Sequence, residues 1–194
     1  MIVAFIHTKG GVGKTTSSVM VAAAAAASGV AVTLYDADPQ RSACRWAEIA
    51  EQRGDPLPFT IVPATAKALS EIKGSDGLAV IDTPPGTAKE IQAAIDVADL
   101  VVVPSGASPM DIDRVWPTLE TTSHRMTGVL LTGVLMHTRL YSEARDLLEN
   151  QGVPTFYNAI PQREDMKAQF GTNPAKLHGY DDVYKEITEI EEME

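Results

Sequence analysis

Cysteine is almost missing from this sequence: Cys44 is the only one in 194 residues. A lone cysteine excludes an internal disulfide. Without Cys/His spacing around it, a zinc site is excluded too, so the composition points to a reducing cytoplasm and to Cys44 as a small packed side chain. Long apolar runs are also missing. None approaches the roughly 20 residues that cross a bilayer, and the opening MIVAFIHTKG carries no basic leader, only a five-residue apolar run of strand length. A soluble chain with no membrane partner is the expectation. Basic residues are scarce, 16 Lys and Arg against 26 Asp and Glu for a net charge of −10. That balance argues against nucleic acid, because phosphate contacts need cations. The distribution softens the point, since residues 181–194 hold seven acids against Lys185 alone and the first 180 residues carry only −4. No repeat, low-complexity linker or compositional break divides the chain, so residues 1–194 are expected to form one domain large enough to bury its core without staples. No Ser/His/Asp triad is evident. His7, His124, His137 and His178 show no pairing that suggests metal or acid–base chemistry and read as structural or surface residues.

What is present is alternation. Apolar runs at 2–6, 30–35, 78–81, 100–104 and 128–136 read as buried strands, with helical segments of ten or more residues between them. Right-handed crossovers then give an α/β fold, a doubly wound, mostly parallel sheet flanked by helices. The first helix is predicted from Lys14 to Ser28, with six alanines at 22–27 that let it lie close to the sheet and Gly29 as its stop. Pro117 either kinks the helix predicted over 111–126 or marks its start. Val183, Ile187 and Ile190 at helical spacing predict an acidic amphipathic helix over about 181–194. Trp46 and Trp116 fall in helical segments and read as packing residues.

The chemistry sits in HTKGGVGKTTSS, residues 7–18. A strand, a glycine-rich turn and a helix N-terminus surround one small volume with backbone N–H groups, which binds phosphate. Gly10, Gly11 and Gly13 allow close approach, Lys14 can reach the β- and γ-phosphates, and the Thr15 hydroxyl can ligand Mg²⁺. Asp36 and Asp38 in LYDADPQ and Asp82 in LAVIDTPPG stand at strand ends, where ligands of open α/β sheets bind. Aspartate also forms turns after strands, but three beside this loop point to oxygen donors for a magnesium nucleotide. Asp38 sits just past its strand tip, a position suited to orienting water rather than holding metal.

KGGVGKTT at 9–16, DADPQ at 36–40 and VIDTPPG at 80–86 resemble, in order and spacing, the three motifs of the deviant-Walker-A ATPases, the ParA, Soj and MinD family. The similarity runs on through VVVPSGASPMDI and NAIPQREDMKAQFG and covers nearly the whole chain. The resemblance implies a P-loop NTPase fold, ATP/ADP and Mg²⁺ as cofactors, and a homodimer that forms on ATP binding. In that family the extra lysine, here Lys9, crosses a two-fold interface to the partner's phosphates, so nucleotide would act as both substrate and assembly switch. By matched position, Lys14 binds the β- and γ-phosphates, Thr15 coordinates Mg²⁺, Thr16 contacts the α-phosphate, and Gly10, Gly11, Val12 and Gly13 supply backbone donors. Asp36 and Asp82 match residues that hold metal-bound waters, and Asp38 matches the aspartate that positions the attacking water. Pro161 in IPQRED matches the adenine loop, and PSGASPMDID a loop bordering nucleotide and interface, although Pro104, Pro109 and Pro161 equally suit ordinary turns.

Within the family the chain is most similar to the short plasmid-type, ParF-like partition proteins, because it starts directly at its first strand without room for a DNA-binding extension. That implies a ParB-like centromere-binding partner, nonspecific DNA or polymerisation as the output, and a nucleoid-associated cytoplasmic location. The acidic terminus does not resemble the basic membrane helix of MinD, and one cysteine cannot supply the shared cluster of nitrogenase iron proteins. Arg139, Arg145, Arg163, Lys167 and Lys176 are the candidates for a basic patch, with Asp181 and Asp182 standing where relatives place cations. A dethiobiotin-synthetase-type ligase and an ATPase that positions a protein cargo are the alternatives.

Overall fold

A computed structural model describes residues 1–72, 77–86 and 88–192. Seven strands form one all-parallel sheet: β1 (Ile2–Phe5), β2 (Val32–Asp36), β3 (Thr60–Pro63), β4 (Leu78–Asp82), β5 (Leu100–Ser105), β6 (Met126–Val134) and β7 (Ile160–Pro161). Their order across the sheet is β3-β2-β4-β1-β5-β6-β7. From the central β1 the chain winds outward to β2 and β3, returns to β4, then continues on the other side through β5. The crevice at this reversal of direction lies beyond the carboxyl end of β1, the place where open α/β sheets bind ligands.

Period-two alternation sorts β1 between two cores. Val3 and Phe5 face α1 (Lys14–Ala27), α2 (Ser42–Gln52) and α9 (Tyr180–Glu192), in a layer with Met20, Trp46 and Ile187. Ile2, Ala4 and Ile6 face α4 (Lys89–Val97), α6 (Val115–Thr122) and α7 (Arg139–Asn150), in a layer with Ile95, Val115 and Leu148. Every residue of β1, β4 and β5 is buried, which is why those runs carry no polar alternation.

The alanines of α1 do what small side chains allow: Ala22 and Ala25 are fully buried under the sheet. The helix ends one residue early, at Ala27, with the Ser28 N–H shared between the Ala24 and Ala25 carbonyls and Gly29 at φ 89°. The single helix expected around Pro117 is two. Ser108 caps the short α5 (Pro109–Asp113), Arg114 separates it from α6, and Pro117 is the third residue of α6. Its missing N–H falls in a first turn that needs none, so Pro117 marks a start and makes no kink.

Two strands went unforeseen. β3 is a half-exposed edge strand closed by Pro63, and β7 is only two residues long, so neither presents a buried apolar run. β6 lies two residues earlier than expected, and β2 extends to Asp36. α3 (Ala66–Ser70) and α8 (Glu164–Ala168) are single-turn connectors. Among the described residues no helix is long and apolar enough to cross a membrane.

The terminal helix runs over Tyr180–Glu192 and buries Val183 and Ile187; residues 193–194 of the expected span lie outside the described residues. Its first residue, Tyr180, reaches the helix behind the phosphate loop, where its hydroxyl shares a 2.8 Å hydrogen bond with Ser17 Oγ in the core. Tyr180→Phe leaves the Ser17 hydroxyl buried without that partner and should cost about 1–2 kcal/mol, read as a lowered denaturation midpoint with unchanged slope.

Candidate nucleotide-binding site

β1 delivers the loop. The Ile6 N–H still pairs with Val102 of β5, and from His7 the backbone leaves the sheet. Gly11 at φ 77° and Gly13 at φ 92° take the left-handed turns that bend the chain into α1, and the Gly13 carbonyl receives the first helical hydrogen bond from Ser17 at 2.8 Å. Gly10 is different. A Cβ there would meet only Pro85, at 3.9 Å, so no protein neighbour demands glycine and the space beside it is open. Thr132 of β6 anchors the loop from the far side through its hydroxyl to the Val12 carbonyl, at 3.0 Å.

Lys14 opens α1 and is 6% exposed. Burial pulls its pKa down, against the opposing charges of Asp82 and Asp38. Its ammonium has one hydrogen bond, to the Lys9 carbonyl at 3.3 Å. Parallel pairing of β2 with β4 sets Asp36 beside Asp82 in register. Asp36 is satisfied, accepting from the Asp38 N–H at 3.2 Å and the Cys44 N–H at 2.8 Å. Asp82 is not. It is fully buried, its Oδ2 has no partner among the described residues, and burial, with repulsion from Asp36 and Asp38, pushes its carboxyl up to about 7 against the pull of Thr15 and Lys14.

An acid held near neutrality with a free oxygen fits a hard cation. Among the described residues no three His, Cys, Asp or Glu side chains converge into a metal cage. A magnesium at Thr15 and Asp82 would therefore take most of its oxygens from phosphate and water, as this ion commonly does. Asp38 is half-buried past the tip of β2, with one oxygen accepting from the Gln40 N–H at 2.8 Å.

The predicted residues do not all line one cavity. Lys9, Gly11, Val12, Gly13, Thr16 and Pro161 line one cleft of about 610 Å³, together with Trp46, Met166, Phe170 and Tyr180. Asp36 and Asp38 line a smaller cavity of about 290 Å³ with Arg41 and Glu90. Gly10, Lys14, Thr15 and Asp82 lie on neither wall, at the loop and the strand tips. The dimensions suit a nucleotide laid from the loop toward Pro161.

Of the two roles expected for the histidines, structural or surface, His7 takes the structural one: it is fully buried in the loop, and its Nδ1 accepts the Lys9 N–H at 2.9 Å. Burial and the charges of Lys14 and Lys9 hold its pKa down to about 4. Cys44 is half-buried, its backbone spent on Asp36 and its thiol pushed up to about 12 by burial. Trp46 packs as expected against Phe170, with ring centroids 5.4 Å apart, yet it also walls the cleft. The basic candidates are dispersed over different surroundings. Arg139 pairs with Glu143, Arg145 donates to the Phe156 and Tyr157 carbonyls, and Arg163 and Lys167 line the nucleotide cleft.

The residue the sequence reading missed is Asp111. The Lys9 ammonium lies 2.5 Å from its Oδ1, and Ser108 Oγ donates to its Oδ2 at 2.6 Å. Ser108 and Asp111 stand at the S-x-x-D spacing of a helix cap, a signal that was present in PSGASPMDID. His7 had no comparable signal.

Two titrations follow. The folded carboxyl of Asp82 binds its proton more tightly than the unfolded one, so stability without nucleotide falls as pH rises from about 4 to about 7 and stays lower above it. Asp82→Asn should then exceed wild type at pH 8 by on the order of 3 kcal/mol, while losing the stabilisation that magnesium nucleotide gives wild type. His7 runs the other way. Its folded pKa is depressed, so its contribution is lost as pH falls from about 6.5 to about 4. His7→Asn, which keeps an acceptor for Lys9, should resist acid better than wild type in parallel melts.

Comparison with known proteins places this geometry. The chain is 38% identical over 164 residues to the maintenance of carboxysome distribution protein A of Gloeobacter kilaueensis, covering 80% of this chain and 74% of that one. It is 34% identical over 122 residues to the protein ParA of Rhizobium radiobacter, covering 57% of this chain, and the match spans 50% of that relative's length. Among solved structures, a plasmid partition protein of Borrelia burgdorferi B31 bound to AMPPNP superposes with a TM-score of 0.76 at 19% identity, over 97% of both chains, which shows a shared fold. Residues 3–174 match the model of the CobQ/CobB/MinD/ParA nucleotide binding domain, and the chain belongs to that family.

Proposed function

We propose that this protein is a partition ATPase of the ParA type, in which ATP closes a two-fold dimer and hydrolysis opens it. One observation carries the reading: the two lysines of the loop occupy different environments. Lys14 is the buried cation of its own phosphate site. Lys9 stands on the wall of the cleft instead, its side chain 38% exposed and its ammonium on Asp111 of α5, which lines the same cleft. A cation so placed is available to a second subunit.

In this reading the N–H groups of Gly10, Gly11, Val12 and Gly13, together with Lys14, hold the phosphates, and Thr16 contacts the α-phosphate. Thr15, Asp36 and Asp82 hold magnesium and its waters, Pro161 borders the adenine, and Asp38 orients the attacking water. Magnesium supplies charge neutralisation on the phosphates when bound. Lys9 supplies the second cation across the interface. Phosphoryl transfer asks little covalent chemistry of a protein and much positioning, which suits a site of fixed backbone donors.

The dimer would then bind nonspecific DNA or polymerise, with a ParB-like partner accelerating hydrolysis. The engagement of Arg139 and Arg145 with local partners supports a DNA surface assembled by dimerisation over one built on each subunit. The similarity to a carboxysome distribution protein favours, as a second reading, the same switch carrying a protein cargo. Both differ from a dethiobiotin-synthetase-type ligase, which would not need Lys9.

Lys9→Ala should abolish ATP-dependent dimerisation in sedimentation while ATP still binds. Asp38→Ala should keep the ATP dimer and slow single-turnover hydrolysis by at least about 100-fold. ATP-dependent retention on random DNA that disappears with Lys9→Ala supports partition, and dimerisation without retention supports a protein cargo. A Lys9→Ala protein with unchanged assembly and turnover removes the reading.

A further inference from the structure

All three polar groups of Lys9 are engaged. Its N–H donates to His7 Nδ1 at 2.9 Å, its carbonyl accepts from Lys14 Nζ at 3.3 Å, and its ammonium reaches Asp111 at 2.5 Å. The carboxylate that receives it is itself fixed. Asp111 Oδ2 takes the Ser108 hydroxyl at 2.6 Å, and the Asp111 N–H returns to Ser108 Oγ at 3.2 Å. Gly106 makes room for this arrangement, because a Cβ there would stand 2.5 Å from Asp111 Oδ2. One carboxylate oxygen thus belongs to α5 and the other to Lys9, and the two side chains meet across 102 residues of sequence.

We propose that Asp111 is a positioning residue for Lys9: it holds the ammonium within its own subunit while the chain is unpaired, and dimer closure exchanges that carboxylate for the partner's phosphate. The proposal rests on the dimer reading above and gives it a threshold. An ammonium free in water would approach any triphosphate, its own or another's. One already neutralised by Asp111 moves only toward a site that offers more negative charge than a single carboxylate, which a triphosphate does and a diphosphate does less well. The pair is partly exposed, with side chains 38% and 20% accessible, so it is reversible rather than permanent.

The test uses the full chain and two readouts. In dilute, nucleotide-free protein, an amine-acylating reagent should label Lys9 several-fold more slowly than the exposed Lys176, and Asp111→Asn should raise the Lys9 rate without changing that of Lys176. In ATP titrations followed by sedimentation, the same variant should pair at lower protein concentration. Two-fold symmetry breaks two such ion pairs per dimer, so an effect of about 3-fold for each gives about 10-fold in the dimer dissociation constant. That difference should narrow as salt rises. Ser108→Ala keeps the charge but releases the second oxygen, and should move both readouts the same way by less. Unchanged Lys9 labelling in Asp111→Asn overturns the proposal whatever the dimer does. Faster labelling with an unchanged or weaker dimer overturns the exchange. Faster labelling in a protein that never dimerises with ATP removes the dimer reading, and the exchange with it, while leaving the ion pair itself established.

Discussion

The buried ammonium of Lys14 is the constraint around which the rest of this site is arranged. A cation 6% exposed at the start of α1 is tolerable only beside carboxylates, and Asp82 and Asp38 are the charges that support it. Asp82 is buried as deeply, and among the described residues one of its oxygens has no partner; Thr15 and Lys14 pull its carboxyl down against burial, while Asp82 supports the charge of Lys14. Their meeting depends on strand register. Phe5 at the end of β1 lies beside Asp82, and Asp82 beside Asp36. A slip of one residue in either pairing would turn a carboxylate to the opposite face of the sheet.

From that constraint follows the division of labour within one short loop. Gly11 and Gly13 turn the chain through left-handed conformations, which sends Lys14 inward at the start of α1 and leaves Lys9 on the wall of the cleft. Two lysines five residues apart thereby acquire unlike surroundings: one desolvated and aimed at the strand tips, the other half in water and neutralised by α5. His7 contributes by remaining neutral. A charged imidazole between two lysines would be repelled by both, whereas the neutral ring accepts the Lys9 N–H and fixes where that residue leaves the backbone.

The far elements serve the same end. α9 closes over α1 with an apolar stripe and one buried hydroxyl pair, so the acidic C-terminal segment is structural on its inner face and solvated on its outer one. β7, only two residues long, carries Pro161 to the mouth of the cleft because β6 bulges between Thr132 and Val134, and Thr132 ties β6 back to the loop at Val12. The cleft is therefore walled by segments from both ends of the chain.

By itself the sequence determined the local features. Consecutive buried apolar runs specify central parallel strands, glycines before Gly-Lys-Thr specify a phosphate loop, and aspartates after apolar runs specify acidic strand tips, because each depends on neighbours a few residues away. The edge strands β3 and β7 escaped notice for the converse reason, since half-exposed strands of two to four residues carry no pattern of their own. The tertiary structure alone decided that Asp111, 102 residues from Lys9, receives its ammonium, that His7 is enclosed in the loop, and that Arg139 and Arg145 take local partners while Arg163 lines the cleft. A charge's partner is set by which segments the fold brings within a few ångströms, and Coulombic attraction depends on that separation rather than on distance along the chain.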